Sequence, residues 1–212
     1  MPLRNEIWED RMTREFALFE RVSYHYESMP DLLLQDLSVS FPSGWTGIVG
    51  ANGAGKTTVL KLACGLLDPV KGHIRSPGYA LCCAQRTDHL PVLLPSLIEQ
   101  EDAFACRLKG QLGIESDWAS RWDSLSPGER KRAQIAVAIW QKPDVLALDE
   151  PTNHIDSDAR KMLISALFEY RGVGLLVSHD RELLDGLCRR NRGSESQFPE
   201  RNSWRIITCT CK

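Results

Sequence analysis

A glycine-rich run between an apolar segment and a helical pattern constrains the fold of this 212-residue chain more than any other feature. The run, residues 50–57, reads GANGAGKT and fits the pattern G-x-x-x-x-G-K-[ST]. Thr46–Val49 before it has the composition of a buried strand, and the apolar residues after it recur with helical periodicity over Lys56–Gly65. A strand, a tight loop and a helix in this order are typical of an α/β domain with a mainly parallel sheet.

The residues of this run suit phosphate binding. Glycines allow backbone N–H groups to turn inward around phosphate oxygens, and the following helix adds the positive end of its dipole. The Lys56 ammonium can reach the β- and γ-phosphates of a nucleotide, and the Thr57 hydroxyl can bind Mg²⁺. The run therefore predicts a nucleotide site with the members Gly50, Asn52, Gly53, Gly55, Lys56, Thr57 and Thr58.

Two carboxylates follow a second apolar run. Val145–Leu148 is typical of a strand covered on both faces, and Asp149 and Glu150 come directly after it. Ligands of open α/β sheets bind at this end of the strands. Asp149 suits Mg²⁺, either directly or through water, and Glu150 suits orienting or deprotonating an attacking water. Two acids here are also common at a helix start, and the glycine-rich run favours the catalytic interpretation.

The segment LSPGE, residues 125–129, has two interpretations that the residues alone leave open. Ser126, Pro127 and Glu129 fit a helix start with Ser126 as the N-cap and Glu129 completing a capping box. A helix start with free N–H groups also binds phosphate. The apolar period that continues to Trp140 predicts the helix itself.

Strand and helix patterns alternate through most of the chain. We expect a leader over residues 1–20 that is either a short helix or loose, a domain over 21–190, and an atypical basic tail over 191–212 whose composition suggests disorder or translation out of frame. Within the tail only Trp204–Thr208 has a regular pattern. The further predicted elements are strands at Leu37–Phe41, Gly78–Ala84 and Gly174–Ser178, and helices at Asp102–Leu108, Ser157–Tyr170 and Arg181–Cys188.

Composition excludes several classes of protein. Apolar residues make up 42% and charged residues 25% of the chain, which excludes a mostly disordered protein. The net charge of −2 supplies no strong field for nucleic acid or acidic lipid. No apolar run reaches the roughly 18 residues of a membrane-spanning helix, and the first residues lack a signal-peptide layout. We therefore expect a cytoplasmic protein with no direct membrane insertion.

The order of these motifs resembles the nucleotide-binding domain of the ABC ATPase superfamily. The glycine-rich run (the P-loop), the LSPGE segment and the apolar run ending in Asp149 and Glu150 follow the family's order, and the resemblance covers about residues 20–188. It implies a P-loop NTPase fold of the ABC type with a short helical subdomain, and ATP and Mg²⁺ as its ligands. Pro127 departs from the glycine that is common there and removes one N–H donor.

The resemblance also implies roles for single residues. Tyr26 is similar to the aromatic residue that stacks on adenine, with Tyr24 as the competing choice. Gln85 resembles the glutamine that contacts Mg²⁺ and the water, and His179 resembles the switch histidine. Catalysis is thus assigned to Glu150, His179 and Gln85, and metal binding to Thr57, Asp149 and Gln85. The signature that binds the ATP of a second ABC domain comprises Ser126, Gly128 and Glu129.

Two segments resemble the ABC-F subfamily most: EPTNHID at residues 150–156 and GERKR at residues 128–132. Proteins of this subfamily are soluble ATPases, typically with two ABC domains in one chain, and many act on the ribosome. The resemblance implies a head-to-tail dimer with two sandwiched ATPs, completed by a second ABC domain of the same or another chain. Asn153 and Asp156 then belong to a loop that crosses the dimer interface. Two alternatives remain open: the ATPase subunit of a membrane transporter, and a truncated fragment that binds nucleotide without turnover.

Overall fold

The computed structural model describes residues 16–28, 31–188 and 204–208, and two β-sheets organise them. A three-stranded antiparallel sheet has the order β2-β1-β4. A five-stranded sheet has the order β5-β6-β7-β3-β8. The strands are β1 (Phe16–Tyr24), β2 (Leu34–Pro42), β3 (Gly44–Gly50), β4 (Lys71–Arg75), β5 (Ala80–Cys83), β6 (Val145–Asp149), β7 (Val173–Val177) and β8 (Trp204–Thr208).

The five-stranded sheet confirms the predicted α/β class. Strands β5, β6, β7 and β3 are parallel, and β8 pairs antiparallel with β3. The helices are α1 (Lys56–Ala63), α2 (Leu94–Glu99), α3 (Ala103–Leu112), α4 (Pro127–Trp140), α5 (Ser157–Phe168) and α6 (Arg181–Leu187), with a 3₁₀ turn at Trp122–Ser124. Among the described residues, no helix combines the length and apolarity needed to cross a membrane.

The parallel sheet is buried on both faces because its strands divide their side chains between two hydrophobic cores. In β6, Val145 and Ala147 pack with α1 and the antiparallel sheet. Leu146 and Leu148 point the other way and pack with the helices from α2 to α6. This alternation explains why β6 carries a continuous apolar run, since neither of its faces meets water.

The helical subdomain lies between Gln85 and Ser126 and contains α2, α3 and the 3₁₀ turn. The Asp102 side chain caps α3 by accepting hydrogen bonds from two backbone N–H groups of its first turn. Two arginines of α4 fasten this subdomain. Arg130 donates to the carbonyl oxygen of Asp123 in the 3₁₀ turn (2.7 Å), and Arg132 donates to that of Leu112 at the end of α3 (2.6 Å).

The structure differs from the sequence-based boundaries at both ends. Strand β1 begins at Phe16 and pairs with β2, so residues 16–20 are part of the domain and not of a leader. Strand β8 lies within the predicted tail and extends the parallel sheet. The remaining residues of the predicted leader and tail, 1–15, 191–203 and 209–212, lie outside the described part of the chain, as do residues 189–190 of the predicted domain.

Candidate nucleotide site

A cavity of about 600 Å³ opens where β3, β6 and β7 end. This is the end of the sheet at which ligands of open α/β folds bind. One wall consists of Asn52, Gly53, Gly55, Lys56, Thr57 and Thr58 from the loop and α1. The predicted residues Tyr26, Gln85, Asp149, Glu150 and His179 line the other walls. Most of the predicted site residues therefore meet in one space.

The glycine-rich loop has the backbone shape that an anion cradle needs. Gly53 and Gly55 have φ angles of 78° and 87°, a region that favours glycine. The Lys56 ammonium donates to the carbonyl oxygens of Gly50 (2.9 Å) and Ala51 (2.8 Å). Gly50 thus acts by orienting Lys56 and does not line the cavity. In the described part of the chain, no side chain caps the first turn of α1, so its N–H groups remain for an anion.

Thr57 and Asp149 bring two oxygen ligands together from different elements. The Thr57 hydroxyl, in the first turn of α1, donates to Oδ2 of Asp149 at the end of β6 (2.8 Å). Mg²⁺ in nucleotide sites is commonly held by one or two protein oxygens, with phosphate oxygens and water completing its shell. The pair fits that demand and borders the same cavity as Lys56.

The carboxylate of Glu150 is held by the residue predicted to act with it. The backbone N–H of His179 donates to Oε2 (3.3 Å), and Nε2 of the His179 ring lies 3.5 Å from Oε1. Burial raises the pKa of Glu150, whereas the His179 N–H and ring act in the opposite direction. A raised pKa brings a carboxylate closer to the range that suits a general base.

The backbone at Glu150 is strained. Its φ angle of 46° lies in the left-handed region, which is costly for a residue other than glycine. The N–H of Glu150 donates to the carbonyl oxygen of Val177 in β7 (2.8 Å), and this bond holds the turn. The carboxylate is thereby aimed into the cavity at the point where the chain leaves β6.

The two tyrosines considered for the adenine differ in their positions. Tyr26 lines the cavity, and its hydroxyl shares a hydrogen bond with the Thr58 hydroxyl (3.0 Å). Tyr24 is buried and meets the Tyr26 ring edge to face, with the ring centroids 5.1 Å apart. Tyr24 therefore packs against the Tyr26 ring and does not border the cavity.

The signature residues lie outside this cavity. Ser126 and Glu129 form the predicted capping box: the Ser126 N–H donates to the Glu129 carboxylate (2.7 Å), and the Glu129 N–H donates to the Ser126 hydroxyl (3.2 Å). These contacts lower the pKa of Glu129. Gly128 touches the loop after β6, where a Cβ would lie 2.8 Å from the carbonyl oxygen of His154. None of the three lines the cavity of its own chain.

Three further residues at the cavity, Leu33, Asn153 and Val177, were not assigned to it from the sequence. Leu33 lies against the loop, where a Cβ on Gly55 would come within 3.3 Å of its side chain, and it gives the cavity an apolar wall. Leu33 is the middle residue of three consecutive leucines that match no motif, so no sequence signal identifies it. Asn153, predicted for the dimer interface, also lines the cavity of its own chain.

Comparison with known proteins yields a family match and curated relatives. The family described as ABC transporter matches residues 34–153. The probable ATP-binding protein YheS of Escherichia coli strain K12 is 35% identical over 180 residues, which is 78% of this chain and 28% of YheS. ABC transporter F family member 4 of Arabidopsis thaliana is 34% identical over 82% of this chain and 26% of its own length. The ribosome protection protein VmlR of Bacillus subtilis is 34% identical over 87% of this chain and 32% of VmlR.

The chain spans about a quarter to a third of the length of these relatives. The family match covers more than half of the chain and contains the glycine-rich loop, the LSPGE segment and both carboxylates. The P-loop geometry and the mainly parallel sheet agree with it. The chain therefore belongs to the ABC transporter family of ATP-binding domains and is most like its ABC-F members.

Proposed function

We propose that this chain hydrolyses ATP as one half of a head-to-tail dimer of ABC domains. The observation that carries the proposal is the convergence of Lys56, Thr57, Asp149 and Glu150 on one cavity. The signature residue Ser126 lies outside that cavity, which supports a site completed by a second domain. That domain belongs either to a copy of this chain or to another ABC protein.

The residues of the cavity divide the work of hydrolysis. Lys56 and the open N–H groups of α1 bind and neutralise the phosphates. Mg²⁺, when bound by Thr57 and Asp149, supplies further neutralisation of phosphate charge. Glu150 accepts a proton from the attacking water, and His179 holds the Glu150 carboxylate in place through its backbone N–H.

The signature contributes the Ser126 hydroxyl and the Gly128 N–H to the nucleotide of the partner, because Pro127 has no N–H and the capping box uses those of Ser126 and Glu129. The capping box uses the Ser126 hydroxyl as an acceptor, and the hydroxyl hydrogen is still available to a phosphate oxygen. Contacts to ATP across the interface exist only in the closed dimer, so ATP binding favours closure and hydrolysis favours opening.

Replacing Lys56 by alanine tests the nucleotide site. We expect ATP affinity to fall by roughly 10- to 100-fold, because a charge-assisted contact to phosphate is lost. The matched control is Lys61→Ala, which removes a lysine from the same helix outside the cavity. Titration of a fluorescent ATP analogue measures both. Equal affinities for the wild type and Lys56→Ala would contradict the site.

We propose further that the chain acts on ribosomes, as part of an ABC-F-type protein. The support is the similarity to VmlR, which is named a ribosome protection protein. The basic residues of α4 lend no support, since Arg130 and Arg132 hold carbonyl oxygens of the helical subdomain. We expect the Glu150→Gln variant to co-sediment with ribosomes in the presence of Mg-ATP. Without nucleotide, a smaller fraction of the variant should co-sediment. No association in either condition would remove the ribosome from the proposal and leave the ATPase.

A further inference from the structure

Lys131 is a buried cation that the chemistry described above does not use. It lies in the second turn of α4 and is 2% exposed. Its ammonium donates to the carbonyl oxygen of Ala84 (2.7 Å) and to Oε1 of Gln134 (2.9 Å). Burying an ammonium costs free energy unless hydrogen bonds replace its hydration, and bonds from a charged donor are strong. The Ala84 carbonyl is therefore held firmly.

Ala84 is the residue between strand β5 and Gln85. Strand β5 ends at Cys83, and Gln85 is exposed and lines the nucleotide cavity. Within the described residues, no hydrogen bond to the Gln85 amide is found. The Lys131 contact is thus the polar anchor nearest to the point where Gln85 enters the cavity.

The charge of Lys131 also interacts with Asp149, one of the predicted Mg²⁺ ligands. Burial lowers the pKa of Lys131, and the Asp149 carboxylate acts in the opposite direction. The Lys131 ammonium and the Asp149 carboxylate thus attract each other. One side chain thus combines a rigid contact to the Gln85 segment with a positive charge near the predicted Mg²⁺ ligands.

The two sequence neighbours of Lys131 in α4 bind a different part of the chain. Arg130 and Arg132 also hold backbone carbonyls, but those belong to the 3₁₀ turn and to the end of α3, away from the cavity. Arg132 additionally stacks on the Trp118 ring, 5.1 Å from its centroid. Only the middle cation of the three reaches the segment that leads into the site, among the residues that the structure describes.

We propose that Lys131 is a positioning residue for Gln85: it anchors the Ala84 carbonyl and so fixes where the Gln85 amide meets Mg²⁺ and the attacking water. The proposal rests on the proposed ATPase function. It assigns Lys131 no contact with the nucleotide itself.

The test compares Lys131→Met with Arg132→Met, which removes a neighbouring carbonyl-binding cation from the same helix. Two quantities are compared. The first is kcat for ATP, measured together with KM, and the second is the factor by which Mg²⁺ tightens binding of a fluorescent ATP analogue in a Glu150→Gln background. We expect Lys131→Met to lower kcat on the order of 10- to 100-fold with little change in KM, as misplacement of a catalytic group does. The tightening by Mg²⁺ should shrink as well. Arg132→Met should keep both quantities near the wild-type values.

A double-mutant cycle separates positioning from a general loss of structure. In Gln85→Ala the amide is already absent, so adding Lys131→Met should cause no further loss of the Mg²⁺ effect. An additive loss would overturn the proposal, as would equal losses in Arg132→Met and Lys131→Met. Should Lys131→Met not fold, Lys131→Gln retains a donor for Ala84 and should give smaller losses of the same two quantities. A wild type without ATPase activity contradicts the proposed function, whereas the Mg²⁺-dependent binding still tests Lys131.

Discussion

Glu150→Gln is expected to lose ATP turnover by at least about 100-fold while keeping its affinity for ATP, because a general base contributes on that scale to the chemical step. Glutamine has the same shape and can still accept the His179 N–H bond that holds Glu150 (3.3 Å). It cannot take a proton from water. The measurements are steady-state phosphate release and binding of a fluorescent ATP analogue.

The control for this prediction is Glu101→Gln, which changes an exposed carboxylate outside the cavity. It should hydrolyse ATP at the wild-type rate. Turnover by Glu150→Gln at the wild-type rate would show that another group activates the water. Loss of both turnover and binding would point to damage at the loop between β6 and α5, where the backbone of Glu150 is strained.

Trp45→Ala is expected to lower the free energy of unfolding by about 3–5 kcal/mol, since it empties a large volume of the core. Trp45 is 2% exposed, and its indole N–H donates to the carbonyl oxygen of Leu167 at the end of α5 (2.8 Å). The indole also packs on Gly174, where a Cβ would lie 2.5 Å from the ring. Trp45 thereby joins β3, the strand that leads into the P-loop, to α5 and β7.

Two further variants sharpen this prediction. Trp45→Phe keeps much of the aromatic packing but removes the indole N–H, and the Leu167 carbonyl still accepts the Tyr170 N–H (3.1 Å). A smaller loss of about 0.5–1.5 kcal/mol is therefore expected. Gly174→Ala should also destabilise the domain, because its methyl group would overlap the indole. Urea unfolding followed by circular dichroism measures all three. A loss below about 1 kcal/mol for Trp45→Ala would mean that the core refills the space.

The motifs were sufficient to predict the parallel sheet and most of the cavity, because each motif ties a strand end to a functional group. In the antiparallel sheet, the sequence pattern predicted β2 at Leu37–Phe41 but not β1 and β4, for physical reasons. Strand β1 has its alternation interrupted at Arg21, where φ is 49° and the register with both neighbouring strands shifts. Strand β4 alternates only between exposed and half-buried residues and so carries no apolar signal. Helix α2 was not predicted because its six residues are too few to show a helical period; Pro95 lies in its first turn, where proline is tolerated.

Within the site, the sequence could predict which residues take part, but not the backbone conformation and packing that hold them in place. The left-handed backbone at Glu150 and the apolar wall at Leu33 arise from packing between distant segments. The GERKR stretch was interpreted as a subfamily marker. In the structure its cations also bind backbone carbonyls, that of Ala84 after β5 and those of Asp123 and Leu112 in the helical subdomain, across up to 47 residues of sequence. Local patterns contain no information about such long-range partners.

The central claim, that two domains close around ATP, is tested most directly by the mass of Glu150→Gln in solution with and without Mg-ATP. The expected result is a shift from the 23.9 kDa chain to twice that mass on adding Mg-ATP, and no shift when Lys56→Ala is present as well. A chain that binds Mg-ATP tightly and remains a monomer at every concentration tested would contradict self-pairing. In that case another ABC domain must supply the residues that Ser126 and Gly128 provide in the proposed dimer.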